Sequence, residues 1–225
     1  MRSDLCAVIP AYECAATIGA VVQGVRRHIE DVWVVDDGSV DRTGEIAAEA
    51  GARVERLPAN RGKGFALRHG LQCALASGPR AVLLLDGDGQ HDPDDVPAFL
   101  RAWDAGAGEL IMGNRWENIA VIPGVRYWTN YIGSRVLSWM TGRELVDSQS
   151  GYRLLSADLL QRMRLRSERY AIETEMLIKA SQLGARFAYV PVRTIYGEQA
   201  SHFRPFHDTF LISVAAIYYK VFDDV

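Results

Sequence analysis

Residues 80–93 read RAVLLLDGDGQHDP, an apolar run followed by two aspartates at alternate positions. The apolar run is continuous rather than alternating, which is typical of a strand buried on both faces of a parallel sheet. Similar short runs occur along the first half of the chain: LCAVIP (5–10), VWVVDD (32–37), ARVERL (52–57) and GELIMGN (108–114). Helical patterns such as AATIGAVVQGVRRHI (15–29) and GFALRHGLQCALA (64–76) separate them. This alternation predicts an α/β fold built from successive βαβ units.

The second half of the chain has a less regular pattern. After about residue 115 two helices are predicted, in VRYWTNYIGSRVLSWMTG (125–142) and IETEMLIKASQLG (172–184). No linker rich in Pro, Gly or Ser precedes this half, so we expect one domain over residues 1–225. Its parts are a ligand-binding half (1–115), a second half (116–204) and a C-terminal apolar helix (205–225).

Bulk properties exclude several classes of function. The net charge of −3 gives no global field for nucleic acid, so we expect no nucleic-acid partner. The three cysteines form no CxxC pair, which argues against a zinc site and a disulfide framework and favours the cytoplasm. No secretory signal is recognised at the N-terminus.

The apolar run FLISVAAIYYKVF (210–222) is shorter than the ~20 residues that span a bilayer. It is either a buried terminal helix or a helix in peripheral contact with a membrane.

Polar residues follow several predicted strands at the point where each strand ends. Tyr12 and Glu13 follow the first, Asp36 and Asp37 the second, and Asp86 and Asp88 the fourth. Arg115 follows the fifth. Open α/β sheets bind ligands in the crevice beyond the carboxyl ends of their strands. These strand ends therefore predict one shared site.

The segment DGDGQHDP (86–93) carries the strongest chemical signal. Two carboxylates at alternate positions of an extended segment project to the same side, so Asp86 and Asp88 can face one cation. Gly87 leaves room for a bulky ligand, and Gln90 is a candidate third metal contact. A small set of hard oxygen ligands suits Mg²⁺ or Mn²⁺. An EF-hand is excluded because His91 and Pro97 stand where that loop needs Gly and Glu.

Two further segments indicate a nucleotide site without a general nucleotide fingerprint. In VVDDGSVDRTGEI (34–46), Asp36 and Asp37 can accept hydrogen bonds from a base or a ribose hydroxyl, while Asp41 suits a turn or a helix cap. In NRGKG (60–64), Lys63 precedes a helix and either steadies an anion or lies in a solvated loop. Neither GxGxxG nor GxxxxGK[ST] is present, which disfavours dehydrogenases and P-loop proteins.

The motifs PAYE, VVDDGSVD, NRGKG, LLDGDGQHDP, MGNR, DSQSGYR and SHFRPFHDT, in this order and at these spacings, resemble the family 2 glycosyltransferases. The resemblance is to the dolichyl-phosphate mannose synthase-like branch and covers almost the whole chain. It implies a GT-A fold with a mixed, mostly parallel sheet. It also implies an inverting transfer from a GDP- or UDP-sugar, often to a polyprenyl phosphate at the cytoplasmic membrane face.

Residues and resemblance together predict four groups of site residues. The nucleotide-sugar group comprises Pro10, Tyr12, Glu13, Asp36, Asp37, Lys63, Asp86 and Gly87. The metal group comprises Asp86, Asp88 and Gln90, and the catalytic group Asp88, Arg115 and Asp147. The group that meets acceptor or phosphate comprises Arg126, Arg153, Ser201, His202 and Arg204.

The choice of acceptor determines whether a base is needed. The transition state has a developing oxocarbenium ion and a leaving diphosphate, whose charge the metal and the arginines stabilise. A phosphate monoester, with a second pKa of about 6, arrives charged and needs no strong base. A sugar hydroxyl needs a carboxylate, for which Asp147 is the first candidate and Glu173 and Glu175 follow. A saccharide or other soluble acceptor, a nucleotidyltransferase and a non-catalytic binding protein stay open as alternatives, as do the donor sugar, its base and the oligomeric state.

Overall fold

The computed structural model describes residues 1–115, 124–167, 171–193 and 195, and only the backbone of 124–130. Its centre is a seven-stranded sheet in the order β3-β2-β1-β4-β6-β5-β7. The strands are β1 (Arg2–Ala11), β2 (Ile29–Asp36), β3 (Arg53–Arg56), β4 (Ala81–Leu84), β5 (Leu110–Asn114), β6 (Arg153–Ser156) and β7 (Phe187–Pro191). All neighbouring pairs are parallel except that β6 is antiparallel to both β4 and β5. The predicted α/β class and mixed, mostly parallel sheet are confirmed.

Helices cover both faces of this sheet. They are α1 (Ile18–Arg26), α2 (Thr43–Glu49), α3 (Lys63–Ala76), α4 (Val96–Asp104), α5 (Gly124–Thr141), α6 (Ala157–Arg162) and α7 (Ile172–Gln182). A 3₁₀ turn (Pro93–Asp95) precedes α4, and Asp92 caps it by accepting a hydrogen bond from the Asp94 N–H. The predicted helices around 15–29, 64–76, 125–142 and 172–184 are present, with ends shifted by a few residues.

The core lies on both sides of β1 and β4, as their continuous apolar runs predict. Cys6 and Val8 of β1 belong to an apolar cluster shared with α3 and α7. Their neighbours Ala7 and Ile9 belong to a second cluster shared with α1 and α4. Successive residues of a strand point to opposite faces, so the part of a strand that helices cover on both faces, such as residues 5–11 of β1, has a continuous apolar run. Each fully buried Ile or Leu contributes about 1.5–3 kcal/mol relative to an exposed one.

The second half of the chain continues the same sheet, which the sequence pattern did not predict. Strand β6 inserts between β4 and β5, and Leu84 at the end of β4 pairs with Arg153 at the start of β6. Because the two strands are antiparallel, the loop that precedes Arg153 lies at the carboxyl end of β4. The DSQSGY segment (147–152) is thereby brought to the edge that carries Asp86 and Asp88.

The predicted C-terminal apolar helix (205–225) lies outside the described residues. Among the helices that the structure describes, none has both the length and the apolar character needed to cross a bilayer.

Candidate active site

A cleft of about 440 Å³ opens at the carboxyl ends of β1, β2 and β4. Predicted nucleotide-sugar and metal residues line it: Pro10, Tyr12, Asp37, Lys63, Asp86, Gly87 and Asp88. Its wall also includes Asn60, Arg61 and Gly62, which precede α3. These three were part of the quoted NRGKG motif, but only Lys63 was predicted from it. The Arg61 guanidinium lies 3.5 Å above the ring centroid of Phe65, and this contact fixes the loop against α3.

Asp86 is held by an ion pair that the sequence does not reveal. The Lys63 ammonium lies 2.7 Å from Asp86 Oδ1 and 2.6 Å from an oxygen of Glu173 at the start of α7. Burial pushes the pKa of Asp86 up, but the charge of Lys63, the hydrogen bond that Lys63 donates and nearby positive charge together outweigh burial, so the net pKa lies below the ordinary value. Asp86 is therefore ionised at neutral pH, and Lys63 bridges the two halves of the chain.

Asp88 is positioned by a turn, which corrects the extended geometry predicted for this segment. Strand β4 ends at Leu84, and Gly87 and Asp88 form a turn followed by Gly89 with φ of 77°. Asp88 Oδ1 accepts a hydrogen bond from the Gln90 backbone N–H at 2.9 Å. Burial and the neighbouring charge of Asp86 raise the pKa of Asp88. The carboxylates of Asp86 and Asp88 therefore repel each other at a position that is partly shielded from solvent.

The charges around Asp88 fit a divalent cation. Asp86, Asp88 and Glu173 supply three negative charges and Lys63 one positive charge, which leaves two negative charges (3 − 1 = 2). Asp88 Oδ1 is engaged with the Gln90 N–H, and within the described residues Oδ2 has no hydrogen-bond partner. Carboxylate oxygens are the ligands that Mg²⁺ and Mn²⁺ prefer. The contact described for Gln90 uses its backbone, so the predicted ligand role of its side chain stays a prediction.

His91 supports the Asp86 loop as a neutral imidazole. Its Nδ1 accepts a hydrogen bond from the Asp86 backbone N–H at 3.0 Å, and its ring stacks on Tyr152 with centroids 5.0 Å apart. Burial lowers the pKa of His91 to about 4.

A Cβ placed on Gly151 would lie 3.2 Å from Asp86 Oδ2 and 3.3 Å from Lys63 Nζ. A glycine at 151 therefore lets the DSQSGY segment pack directly against the carboxylates.

Asp37 and Asp36, predicted as a pair, have different environments. The Asp37 carboxylate accepts hydrogen bonds from the backbone N–H groups of Arg61 and Gly62, both at 2.8 Å, and lines the cleft. Asp36 is fully buried, and its Oδ1 accepts from the Ser39 N–H. It does not line the cleft, so its predicted contact with a nucleotide is corrected to a supporting position beneath the loop.

Glu13, also predicted for the nucleotide group, is exposed and stands beside the cleft rather than in its wall. Its φ of 52° lies in the left-handed region, and its backbone N–H donates to Ser39 Oγ. The residue therefore sets the turn that follows β1.

Arg115 and Asp147, both predicted to be catalytic, form a bidentate ion pair. Arg115 Nε lies 2.7 Å from Asp147 Oδ2, and Arg115 Nη2 lies 2.8 Å from Oδ1. The Asp147 side chain is 1% exposed, whereas that of Arg115 is 20% exposed. Fork-to-fork pairs of this kind fix the plane of the guanidinium. Asp147 thus orients Arg115 beside the strand ends.

Two residues predicted near the acceptor have structural contacts instead. Arg153 is buried, and its guanidinium donates to the backbone carbonyls of Ser148, Ser150 and Glu173. Three of its five N–H groups hold the DSQSG loop against α7 and the side chain is buried, so the predicted phosphate contact is corrected to a structural role. Glu175, a minor candidate base, is fully buried against Lys179 and accepts backbone N–H groups at 166 and 167.

Other predicted acceptor residues lie outside the described part of the chain. These are the side chain of Arg126 and the residues Ser201, His202 and Arg204.

Comparison with known proteins agrees with the motif resemblance. Residues 6–163 match the model of the family described as Glycosyl transferase family 2. Uncharacterized protein MJ1222 of Methanocaldococcus jannaschii is 34% identical over 206 residues, covering 88% of this chain and 84% of that protein. UDP-N-acetylglucosamine–dolichyl-phosphate N-acetylglucosaminyltransferase of Methanococcus voltae is 30% identical over 215 residues, covering 85% of each.

Solved structures share the fold. Glucosyl-3-phosphoglycerate synthase from Mycobacterium tuberculosis, crystallised with Mn²⁺, UDP-glucose and phosphoglyceric acid, superimposes with a TM-score of 0.75 at 21% identity, covering 99% of this chain and 81% of that chain. The predicted GT-A fold is confirmed. Since the family model spans most of the chain, from the first strand to the end of α6, the protein belongs to the family 2 glycosyltransferases.

Proposed function

We propose that this protein transfers a hexose from a GDP- or UDP-sugar to a polyprenyl phosphate, with inversion at the anomeric carbon. The observation that carries the proposal is that all three carboxylates predicted as candidate general bases form ion pairs. Asp147 pairs with Arg115, Glu173 with Lys63, and Glu175 with Lys179. A general base must lie within hydrogen-bond reach of the proton that it takes, and oxygens of these carboxylates are already occupied by cationic side chains. A phosphate monoester brings its own charged oxygen and avoids the need for one.

The relative from Methanococcus voltae supports the same acceptor class, because its name states dolichyl phosphate as the acceptor. We extend that class to this chain. Cytoplasmic location and peripheral contact with a membrane through residues 205–225 belong to the same proposal.

The donor is proposed to lie in the cleft of β1, β2 and β4. Tyr12 lies at its rim, 37% exposed, and can cover a base or ribose. Asp37 shapes the wall of the cleft by holding the backbone of Arg61 and Gly62. The diphosphate then faces Asp86 and Asp88, where a cation is needed to offset the repulsion between like charges.

Asp86 and Asp88 are the residues that would hold Mg²⁺ or Mn²⁺, and Gln90 is a further candidate. Such an ion supplies charge neutralisation for the departing nucleoside diphosphate. Lys63 keeps Asp86 ionised and in place. Arg115, fixed by Asp147, presents a guanidinium toward developing negative charge. Attack from the face opposite the leaving group then gives inversion.

The test is transfer of label from a panel of GDP- and UDP-sugars, with Mg²⁺ or Mn²⁺, to a polyprenyl phosphate, a soluble saccharide, a small soluble phosphate monoester, and water. We expect label in the lipid phase with one donor. Label in the saccharide with none in the lipid would overturn the acceptor class. Label in the soluble phosphate alone would support a phosphate acceptor that needs no general base and would exclude the lipid acceptor. No turnover of any donor would favour a non-catalytic binding protein.

A further inference from the structure

A second cluster of metal-ligating side chains lies away from the cleft, at the edge of the sheet. It consists of Glu55 on the edge strand β3 and of His69 and Cys73 on α3. Their ligand atoms all lie within 4.8 Å of one another. His69 and Cys73 are four residues apart on one helix, so their side chains lie on the same face. The fold adds Glu55 from another element, which is why the spacing of the cysteines gave no sign of the cluster.

The distances in this cluster suit a shared ion better than hydrogen bonds. Glu55 Oε2 lies 3.4 Å and Cys73 Sγ 3.9 Å from the same atom, His69 Nε2. A ring nitrogen has a single proton or lone pair, and N–H···O bonds are usually 2.7–3.2 Å long. In a tetrahedral zinc site the bond lengths place nitrogen and oxygen ligands about 3.4 Å apart, and nitrogen and sulfur ligands about 3.6 Å apart. The observed separations are close to these values.

The ligand types differ from those of the carboxylate site. One nitrogen, one sulfur and one carboxylate oxygen favour a borderline-soft ion such as Zn²⁺ over Mg²⁺ or Mn²⁺. The side chains of His69 and Glu55 are 33% and 42% exposed, so an ion and a fourth, water ligand can reach them. The His69 ring is also stacked parallel to Phe65, with centroids 6.5 Å apart. That contact limits the orientations of the imidazole.

We propose that Glu55, His69 and Cys73 bind one Zn²⁺-like cation, with water as the fourth ligand. Binding releases the Cys73 thiol proton to solvent and leaves a thiolate on the metal. The ion joins β3 to α3, and the loop between them carries Asn60, Arg61 and Gly62, which line the cleft. Metal binding at the sheet edge therefore stiffens one wall of the donor site. The site itself does not depend on which donor or acceptor the enzyme uses.

The first test is a titration of the metal-free full-length protein with Co²⁺, followed by absorption spectroscopy. We expect a thiolate-to-cobalt charge-transfer band that saturates at one equivalent. The band should disappear in Cys73→Ser and in His69→Gln. It should survive in Cys14→Ser, a matched control at another half-buried cysteine, and in Asp88→Asn, which disables only the carboxylate site. No band, or a band that survives Cys73→Ser, would overturn the proposal.

A second measurement guards against variants that simply fold poorly. Thermal unfolding is followed with and without Zn²⁺ at ~100 times its Kd, where the wild-type midpoint should rise by roughly 5–10 °C. His69→Gln should unfold near the wild-type temperature without metal and show no rise with Zn²⁺. An equal rise in both proteins would place the zinc elsewhere and refute the assignment.

Discussion

The two halves of the sheet use the same residue types with opposite charge balance. In the second half, Asp147 is matched by Arg115 at the end of the first half and Glu175 by Lys179, and both acids are buried. In the first half, Lys63 is shared by Asp86 and by Glu173 from the second half, and Asp88 has no ion pair within the described residues. The balanced ion pairs fix the positions of the side chains that form them. The unbalanced carboxylates collect where a divalent ion and a diphosphate are proposed to bind.

Acids in balanced pairs and acids in the unbalanced cluster should differ in how much their removal changes stability. Removing one partner of a buried pair costs about 3–5 kcal/mol, because the other charge stays buried and uncompensated. Removing an acid from an unbalanced cluster relieves repulsion instead. A raised pKa, as at Asp88, means that the fold disfavours the ionised form. The same Asp→Asn change should therefore lower stability at a balanced pair but not in the unbalanced cluster.

The largest effect is expected for Asp88→Asn. Loss of a carboxylate from the proposed metal site should lower transfer activity by at least about 100-fold. The metal-free variant should be no less stable than the wild type, because the neutral amide removes the repulsion from Asp86. Activity and urea unfolding are measured on the same preparations.

The matched control is Asp94→Asn on the same loop. Asp94 is 56% exposed and pairs with Arg27 at the surface, so its loss should leave activity unchanged. Full activity of Asp88→Asn, or a clear loss of its stability without metal, would remove Asp88 from the group of site acids.

A smaller effect on activity is expected for Asp147→Asn in the balanced half. The amide keeps one acceptor for Arg115 but loses the charge, so transfer to a polyprenyl phosphate should fall roughly 10-fold, and the protein should become less stable. The shape of the pH–rate profile should stay the same, because Asp147 is proposed to orient Arg115 rather than accept a proton.

Asp158→Asn serves as the control, since Asp158 forms an exposed pair with Arg162. A loss of more than ~1,000-fold in Asp147→Asn, together with the loss of the acid limb of the pH profile, would make Asp147 a general base. The acceptor would then be a hydroxyl, and the proposed function would have to change.

The same contrast explains how much the sequence alone could predict. Strands β1 and β4 were predictable because burial on both faces requires an uninterrupted apolar run. That Asp86, Asp88 and Asp37 line one cleft was predictable because parallel strand ends converge on one edge. Strands β6 and β7 lie in the second half of the chain, where short apolar runs no longer alternate regularly with helical patterns, so no βαβ pattern identified them.

The roles of Arg153 and Asp36 could not be predicted for a different reason. A motif shows that a guanidinium is present, but not that the carbonyls of Ser148, Ser150 and Glu173 accept its hydrogen bonds. Likewise, adjacent acids such as Asp36 and Asp37 look equivalent until burial separates them. Which polar group is satisfied inside the fold depends on contacts between distant segments, as with Lys63 and Glu173.

The smallest expected effect concerns His91, where the two halves meet through its stacking on Tyr152. Its pKa is lowered from 6.5 to about 4 in the folded state, so between these values the unfolded chain binds more protons. The stability contributed by neutral His91 is complete above pH 6.5 and is lost as the pH falls. In His91→Asn the amide oxygen can replace Nδ1 as acceptor for the Asp86 N–H without titrating. Between pH 7 and pH 5.5 the unfolding free energy of the wild type should therefore fall by about 1 kcal/mol more than that of the variant. If urea unfolding shows that the wild type and His91→Asn lose the same unfolding free energy between the two pH values, His91 titrates normally. The Asp86 loop and the second half of the chain would then meet through a more hydrated contact than the stacked rings indicate.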